Sequence, residues 1–235
     1  MPSTKKEIKR IGLLTSGGDA PGMNAVIRAI VRSAIYNSLE VTGIMNGYSG
    51  LLNSQFIEMQ SHSVSKIISR GGTILKSSRC PEFKTKEGRK QAVKNLTEAG
   101  IDALIVNGGD GSFRGADLLY KEFGLPVIGT PCTIDNDIFG TDFTIGFDTA
   151  INTVVTAVDK IRDTAESHNM LFFVEVMGRH SGFIAINTSI ASGAEATLLP
   201  ETRTNIDQLC SYMEMERRKN KTSGIIIVAE GDEEG

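Results

Sequence analysis

The sequence predicts an α/β protein whose mostly parallel sheets are covered by helices. Short apolar segments alternate with amphipathic helical ones along most of the 235 residues, and this alternation is typical of a parallel sheet covered by helices. Loops rich in glycine and aspartate follow several of the apolar segments. Because ligands bind beyond the carboxyl ends of the strands in such sheets, these loops indicate where a ligand site lies.

The period of the apolar residues predicts the individual elements. Strands are predicted near residues 8–15, 40–45, 102–107, 125–130, 170–177, 195–199 and 224–229. Helices are predicted near residues 22–37, 88–99, 113–123, 147–167, 180–191 and 205–219. A domain boundary is predicted within residues 139–146, where glycines occur and the periodicity is lost, which gives lobes 1–144 and 145–235.

Composition and charge exclude several classes of protein. Hydrophobic residues make up 40% of the chain and charged residues 23%, with a formal net charge of −3, which is ordinary for a soluble globular protein. The lysines and arginines form no stripe for nucleic acid, no apolar run approaches the roughly 20 residues that cross a membrane, and the start lacks the apolar core of a signal peptide. Three cysteines follow neither a zinc nor a disulfide pattern. We therefore expect a cytoplasmic protein without nucleic-acid or membrane partners.

Two glycine-rich loops occur in the same strand–loop–helix setting. Residues 16–22 follow the first predicted strand and residues 107–112 follow a later one, and both loops contain Gly-Gly-Asp. Glycines let the backbone approach a ligand closely, and the following helix offers free N–H groups to an anion. One such turn also arises from tight packing, but two of them indicate an anion-binding site.

A third acidic loop, residues 131–137, follows another predicted strand. Asp135 and Asp137 stand two residues apart, so in an extended run both would face one site, together with Thr133. Two aspartates and a threonine suit a magnesium-assisted phosphoryl transfer. Taken alone, the loop is better interpreted as a polar turn in which the Asx side chains bond their own backbone.

Five motifs in order resemble 6-phosphofructokinase. They are residues 15–24, 70–73, 108–112, 133–137 and 174–179, and the resemblance runs from about Ile8 to Glu230. It implies two Rossmann-like lobes with the active site in the cleft between them. It also implies the glycolytic transfer of a phosphoryl group from a donor to the 1-hydroxyl of fructose 6-phosphate.

The resemblance assigns roles by matching positions in the motifs. Asp135 would be the general base, acting with Arg79, Thr133 and Arg179, while Asp110 would hold Mg²⁺ and Asp137 would support the metal through water. The phosphoryl-donor site would comprise Gly18, Arg79, Cys80, Gly109, Asp110, Gly111 and Ser112. The sugar-phosphate site would comprise Thr133, Ile134, Asp135, Met177, Gly178, Arg179 and Glu230.

Two positions bear on the phosphoryl donor. Relatives that use ATP have glycine after Gly-Gly-Asp, as at Gly111, whereas pyrophosphate users tend to have aspartate there and a lysine just before Thr-Ile-Asp-Asn-Asp. Cys132 holds that second position, where ATP users usually have glycine, and it carries no cation for pyrophosphate. We expect ATP; the alternatives are a pyrophosphate-dependent enzyme and a non-catalytic regulatory relative of the same fold.

The resemblance further implies a homotetramer with an effector site between subunits for an allosteric nucleotide or phosphometabolite. The matching positions are Arg28, Arg32, Arg162, Gly193, Glu195, Lys219 and Lys221. Charged residues on solvated helix faces explain the basic residues of this set almost equally well.

Chains of the family continue well past the position of Gly235, so the resemblance predicts that this chain is shortened at its C-terminus. The other basic ligands of the sugar phosphate would then lie beyond Gly235. Met170 stands where many relatives have an arginine that reaches a neighbouring subunit's site. The 235 residues alone are therefore not expected to bind substrate tightly or to turn over.

Overall fold

A computed structural model describes residues 7–203 and 205–231 of the chain. The chain forms two compact units, which divide between Thr133 and Ile134; the sequence places the boundary between residues 144 and 145. The outer ends of the two predicted lobes, residues 1 and 235, lie outside the described residues.

Strands and helices alternate along the chain, as predicted. The strands are β1 (Arg10–Thr15), β2 (Glu40–Ile44), β3 (Phe56–Glu58), β4 (Ala103–Gly108), β5 (Val127–Thr133), β6 (Ile145–Gly146), β7 (Leu171–Val176), β8 (Ala196–Leu198) and β9 (Gly224–Ala229). The α-helices are α1 (Met23–Tyr36), α2 (Gly47–Leu52), α3 (Lys86–Glu98), α4 (Asp110–Phe123), α5 (Phe147–His168), α6 (Phe183–Ser192) and α7 (Ile206–Arg218), and a 3₁₀ helix spans Pro81–Lys84.

In the first unit the strands lie in the order β3-β2-β1-β4-β5. The pairs β1–β2, β1–β4 and β4–β5 are parallel, and only β3 runs antiparallel to its neighbour among these strands. From β1 the chain proceeds to β2 on one side and later to β4 on the other, so the strand order reverses between β1 and β4. This reversal is where an open parallel sheet binds its ligands, and both Gly-Gly-Asp loops follow these two strands.

The sheet of the first unit is buried on both faces. Successive residues of a strand point to opposite faces, and β1 places Leu13 in a cluster with α1 and Leu14 in a second cluster with the helices of the other face. Both leucines are fully buried. The two clusters make this unit a helix–sheet–helix sandwich, which confirms the predicted α/β class.

The second unit is built on three parallel strands in the order β7-β9-β8. Helices α5 and α6 pack on this sheet through Phe147, Val158 and Ile184, against Ile225 and Ile227 of β9. Within residues 7–203 and 205–231, no helix is both long and apolar enough to cross a membrane.

Candidate active site

The two glycine loops touch each other at the strand-order reversal. The backbone N–H of Ser16 donates to the carbonyl of Asn107 at 2.9 Å, which ties the loop after β1 to the end of β4. A Cβ at Gly108 would lie 2.5 Å from the carbonyl oxygen of Ser16, closer than atoms can approach. Glycine is therefore required at this position by the contact between the loops, independently of any ligand.

The helices that follow these loops begin without a side-chain cap. Gly22, with a φ of 96°, precedes α1, and Gly109 precedes α4. Because glycine has no side chain, neither residue offers a side-chain acceptor to an N–H group of the first helical turn. By contrast, Thr85 caps α3 by accepting the N–H of Gly88 at 3.0 Å. Uncapped helix starts present N–H groups and a partial positive charge, which suit a phosphate.

Gly18 and Gly111 have no packing reason to be glycine. A Cβ at either position would have no neighbouring atom within 4 Å, and neither residue has a left-handed backbone. Gly111 lies in the first turn of α4, next to Asp110. Open space at both positions is consistent with a backbone that leaves room for a bound phosphate or nucleoside.

Asp110 is an accessible carboxylate at the start of α4. It forms an ion pair with Arg114 one turn later, at 2.8 Å between Oδ2 and the guanidinium, with both side chains more than half exposed. Exposed pairs of this kind contribute little, so the carboxylate is available to a metal. Within the described ranges, no three or more His, Cys, Asp or Glu side chains are grouped so that they could hold a metal ion by themselves. Mg²⁺ is usually held by one or two carboxylates together with substrate phosphates, and Asp110 fits that pattern.

Arg79 lies at the end of a segment that contacts β1 and the glycine loop after it. The hydroxyl of buried Thr15 donates to the carbonyl of Lys76 at 2.7 Å, and the hydroxyl of Ser77 donates to the carbonyl of Gly17 at 2.6 Å. Arg79 itself is exposed, and its guanidinium has no ion pair within the described part of the chain. The structure thus holds a cation, free of a competing carboxylate, on a segment anchored to the loop after β1.

The residues after Arg79 are linked to the start of α4. The rings of Tyr48 and Phe83 stack with centroids 3.9 Å apart, and the Tyr48 hydroxyl donates to the carbonyl of Ser112 at 2.6 Å. Phe83 belongs to the 3₁₀ helix Pro81–Lys84, and Cys80 immediately precedes that helix. Cys80 is half-buried, and burial raises the pKa of its thiol. The predicted donor residues Cys80 and Ser112 therefore belong to one packed region.

The end of β5 adjoins the second glycine loop. A Cβ at Gly109 would lie 3.7 Å from the Cβ of Thr133, so two of the predicted motifs are neighbours in the first unit. Cys132 beside it is buried, and burial raises the pKa of its thiol to about 11 although a hydrogen bond with Thr130 lowers it. Cys132 is thus uncharged at neutral pH, in agreement with the argument that it supplies no charge for pyrophosphate.

Asp135 is a buried carboxylate of the second unit. Its Oδ2 lies 3.5 Å from Nε of Arg179, and its backbone carbonyl accepts the hydroxyl of Ser181 at 3.1 Å. The guanidinium thus lies within ion-pair distance of this buried carboxylate. The structure therefore brings together two of the residues assigned to catalysis.

The extended geometry predicted for the acidic loop is wrong at Asn136. Asn136 has a left-handed φ of 53°, so the rule that residues i and i+2 of an extended run face the same way does not apply. Its side chain accepts the N–H of Thr144 at 2.8 Å and donates to the carbonyl of Asp142 at 3.1 Å. Asp135 is buried whereas Asp137 is exposed.

Glu230 supports the predicted sugar-phosphate loop from the end of β9. Its Oε1 accepts the N–H groups of Gly178 at 3.2 Å and Arg179 at 2.7 Å. Gly178 has a φ of 143°, and a Cβ there would lie 2.4 Å from the carbonyl oxygen of Ser181. Met177 is exposed rather than part of the core. Glu230 thus holds the turn that carries Arg179, a role that the sequence did not indicate.

Most of the predicted effector residues have partners within their own unit. In the first unit, Arg28 donates to the carbonyl of Val64 at 2.6 Å, whereas Arg32 is exposed. In the second, Arg162 donates to the carbonyls of Ser192 and Gly193 at 2.6 and 3.4 Å.

The remaining three form ion pairs. Lys219 contacts Glu216 at 2.8 Å, and Lys221 contacts Glu195 at 2.9 Å. Because these contacts stabilise turns of the chain, they explain the residues without a ligand. The effector site stays a prediction.

Glu195 provides a test of one of these contacts. Its side chain is 3% exposed; burial opposes its ionisation, but hydrogen bonds from the Ile225 N–H and from Lys221 outweigh burial and lower its pKa. A lowered folded-state pKa stabilises the fold above the unfolded value of about 4.3 and loses that effect as pH falls through the folded value. We expect Glu195→Gln to lower the free energy of unfolding at pH 7 by about 1 kcal/mol.

Denaturant unfolding at a series of pH values measures this effect, and the gap from wild type should close on acidification. Glu98→Gln is the matched control, because Glu98 pairs with Lys94 at an exposed site and should change stability by less than about 0.5 kcal/mol. Equal unfolding midpoints of Glu195→Gln and wild type at pH 7 would contradict a stabilising role.

Sequence reasoning gave no role to several side chains that shape the site. Thr15, Tyr48 and Ser181 donate their hydroxyls to backbone carbonyls of the predicted loops or of the segment leading to Arg79. Asn24 is a polar residue, but it is buried on the apolar face of α1 together with Ile27 and Val31. A polar residue in a helical apolar stripe was the available signal for Asn24; the three hydroxyls had none.

Comparison with known proteins identifies close relatives. A family model described as phosphofructokinase matches residues 10–235. The chain is 59% identical over 225 residues to the ATP-dependent 6-phosphofructokinase 2 of Bacteroides thetaiotaomicron, covering 96% of this chain and 69% of that protein. It is 57% identical over 224 residues to the ATP-dependent 6-phosphofructokinase of Bacillus pumilus, covering 95% and 70% respectively.

A solved structure shares the fold. The phosphofructokinase from Saccharomyces cerevisiae superposes with a TM-score of 0.91 at 40% sequence identity. The match covers 95% of this chain and 34% of the yeast chain. Only part of the longer protein is therefore represented by the residues compared.

Proposed function

The chain belongs to the phosphofructokinase family, and from that premise we propose that the intact protein transfers the γ-phosphoryl group of ATP to the 1-hydroxyl of fructose 6-phosphate. The products are fructose 1,6-bisphosphate and ADP. The observation that carries the choice of donor is Gly111, where the start of α4 is open and no protein atom would contact a Cβ. Relatives at 51–59% identity named as ATP-dependent support the same choice.

The proposed mechanism begins with the sugar hydroxyl. Asp135 accepts its proton as the oxygen bonds to the γ-phosphorus, and Arg179 lies beside Asp135 at 3.5 Å. Ser181 fixes the backbone of Asp135, and Glu230 fixes that of Arg179. The bond from the γ-phosphorus to the bridging oxygen breaks, and ADP leaves with its electron pair.

The donor side is assigned to the first unit. Arg79 stabilises negative charge on the moving phosphoryl group, and Thr133 donates a hydrogen bond to it. The N–H groups at the start of α4 receive the donor's phosphates. Asp110 would hold Mg²⁺, which would supply positive charge to neutralise the donor's phosphates.

Several further properties are proposed only because the chain belongs to this family. A homotetramer, an allosteric nucleotide or phosphometabolite, water-mediated support of the metal by exposed Asp137, and a cytoplasmic location are expected. Two lobes with distinct roles, one for the phosphoryl donor and one for the sugar phosphate, are expected as well. Met170 is 48% exposed, so it is available at the surface, where many relatives carry an arginine.

A coupled assay on the intact protein tests the reaction. We expect turnover with fructose 6-phosphate and ATP, little with pyrophosphate, and none after chelation of the divalent metal, because the phosphates then keep their full charge. Robust turnover with pyrophosphate alone would overturn the choice of donor. Nucleotide binding without phosphoryl transfer would instead support a regulatory relative.

A further inference from the structure

Residues 59–80 form a segment with neither helix nor strand. Its apolar residues Val64, Ile67 and Leu75 are buried in the cluster that α1 shares with β1. Turn hydrogen bonds within the segment, such as that from the Arg70 N–H to the carbonyl of Ile67, satisfy some of its backbone groups, and the others need side chains or water. The segment ends in the Ser77-Ser78-Arg79 run, so whatever fixes its backbone also fixes Arg79.

Asn24 contacts this segment from both sides of its amide. Nδ2 donates to the carbonyls of Arg70 at 2.9 Å and Gly71 at 3.2 Å. Oδ1 accepts the N–H of Ile74 at 2.8 Å. The side chain is 1% exposed, so these hydrogen bonds form without competing water and are costly to leave unmade.

Each residue from Ile74 to Ser77 makes a hydrogen bond that holds the chain leading to Arg79. Leu75 is fully buried, and its carbonyl accepts the N–H of Asn46 at 2.8 Å. The carbonyl of Lys76 and the hydroxyl of Ser77 make the contacts with Thr15 and Gly17 described above. Asn24 therefore makes the first of several contacts that together fix the chain leading to Arg79.

We propose that Asn24 is a positioning residue for Arg79. It touches no reacting atom; it fixes the turn over residues 70–74 and, through the anchored residues after it, the placement of the guanidinium. The inference rests on the proposed role of Arg79 in charge stabilisation. A misplacement of about 1 Å at such a group can cost ~10²-fold in rate.

Asn24→Asp in the intact protein is the sharpest variant, because it keeps the volume and the acceptor for Ile74 but loses both donors. We expect kcat to fall roughly 10- to 100-fold with the KM for ATP within about twofold of wild type. In an Arg79→Ala background the same change should lower kcat no further, since the cation that it misplaces is gone. Asn37→Asp is the matched control, because Asn37, the residue that follows the same helix, donates its amide to the carbonyl of Ser33 at an exposed site.

A merely structural role would lower kcat equally in both backgrounds, so additive effects would overturn the proposal. Hydrogen exchange measured by mass spectrometry tests whether Asn24 fixes residues 70–79, and this measurement does not depend on enzymatic activity. Asn24→Asp should speed exchange over residues 70–79 by at least about 10-fold while β4 keeps its protection. Unchanged exchange there would overturn the proposal, whereas a wild type without turnover would count against the proposed reaction alone. Asn24→Ala, which removes all three hydrogen bonds, serves as a second variant if Asn24→Asp fails to fold.

Discussion

Replacement of Asp135 by asparagine is expected to lower kcat by ~10²–10⁴-fold, the usual contribution of a general base. Asparagine keeps the shape of the side chain but does not take up the proton of the sugar hydroxyl. The lost ion pair should cost little stability, because Arg179 is 72% exposed and can be hydrated. Steady-state kinetics on the intact protein, with thermal unfolding of the same sample, measures both quantities.

Asp142→Asn is the matched control for this prediction. Asp142 is an exposed carboxylate of the same loop, and its backbone carbonyl, rather than its side chain, makes the contact with Asn136. We expect wild-type kcat for this variant. If Asp135→Asn also turned over at the wild-type rate, Asp135 would not be the base.

Gly111→Asp is expected to separate activity from stability. No atom of the protein lies within 4 Å of a Cβ at this position, and an acidic residue in the first turn of a helix is favourable by about 0.3–1 kcal/mol. The fold should therefore be as stable as wild type or slightly more so. The same carboxylate would occupy the space assigned to the nucleotide and repel its phosphates. We therefore expect kcat/KM for ATP to fall by at least ~10²-fold, the loss seen when one stabilising donor is removed from such a site.

Gly111→Ala distinguishes size from charge, because the methyl group occupies the space without repelling phosphate. We expect its loss in kcat/KM to be clearly smaller than that of the aspartate variant. Isothermal titration with ATP measures the binding part separately. Wild-type use of ATP by Gly111→Asp would show that the open space at α4 does not receive the donor.

The sequence predicted the elements in which the apolar pattern repeats over many residues. The stripes that begin at Val26 in α1 and Ile151 in α5 predicted those helices to within two residues at each end. Helix α2 was missed because it is short and begins at Gly47, which is uncommon inside helices. Strand β3 was missed because three residues are too few to show alternation.

Parts of the candidate site were predictable where a backbone conformation or a charge requires one particular residue type. Gly108 and Gly178 cannot carry a Cβ without meeting a backbone oxygen, and such positions are recognisable as conspicuous glycines. The left-handed turn at Asn136 was not predictable, because asparagine adopts that region only sometimes. Glu230 and Asn24 were not predictable in their observed roles, because their contacts join residues roughly 50 positions apart.

We expect the exposed positions of residues 59–80 to tolerate sequence change. Asn24 and Thr15 hold this segment by the backbone carbonyls and N–H groups of residues 70–76, and every residue type except proline offers both groups. Many substitutions at the exposed positions of the segment should therefore leave its path unchanged, whereas the two side chains that hold it have few substitutes. Residues of β1 and α1, outside the segment, therefore help to specify its path, together with its own buried Val64, Ile67 and Leu75.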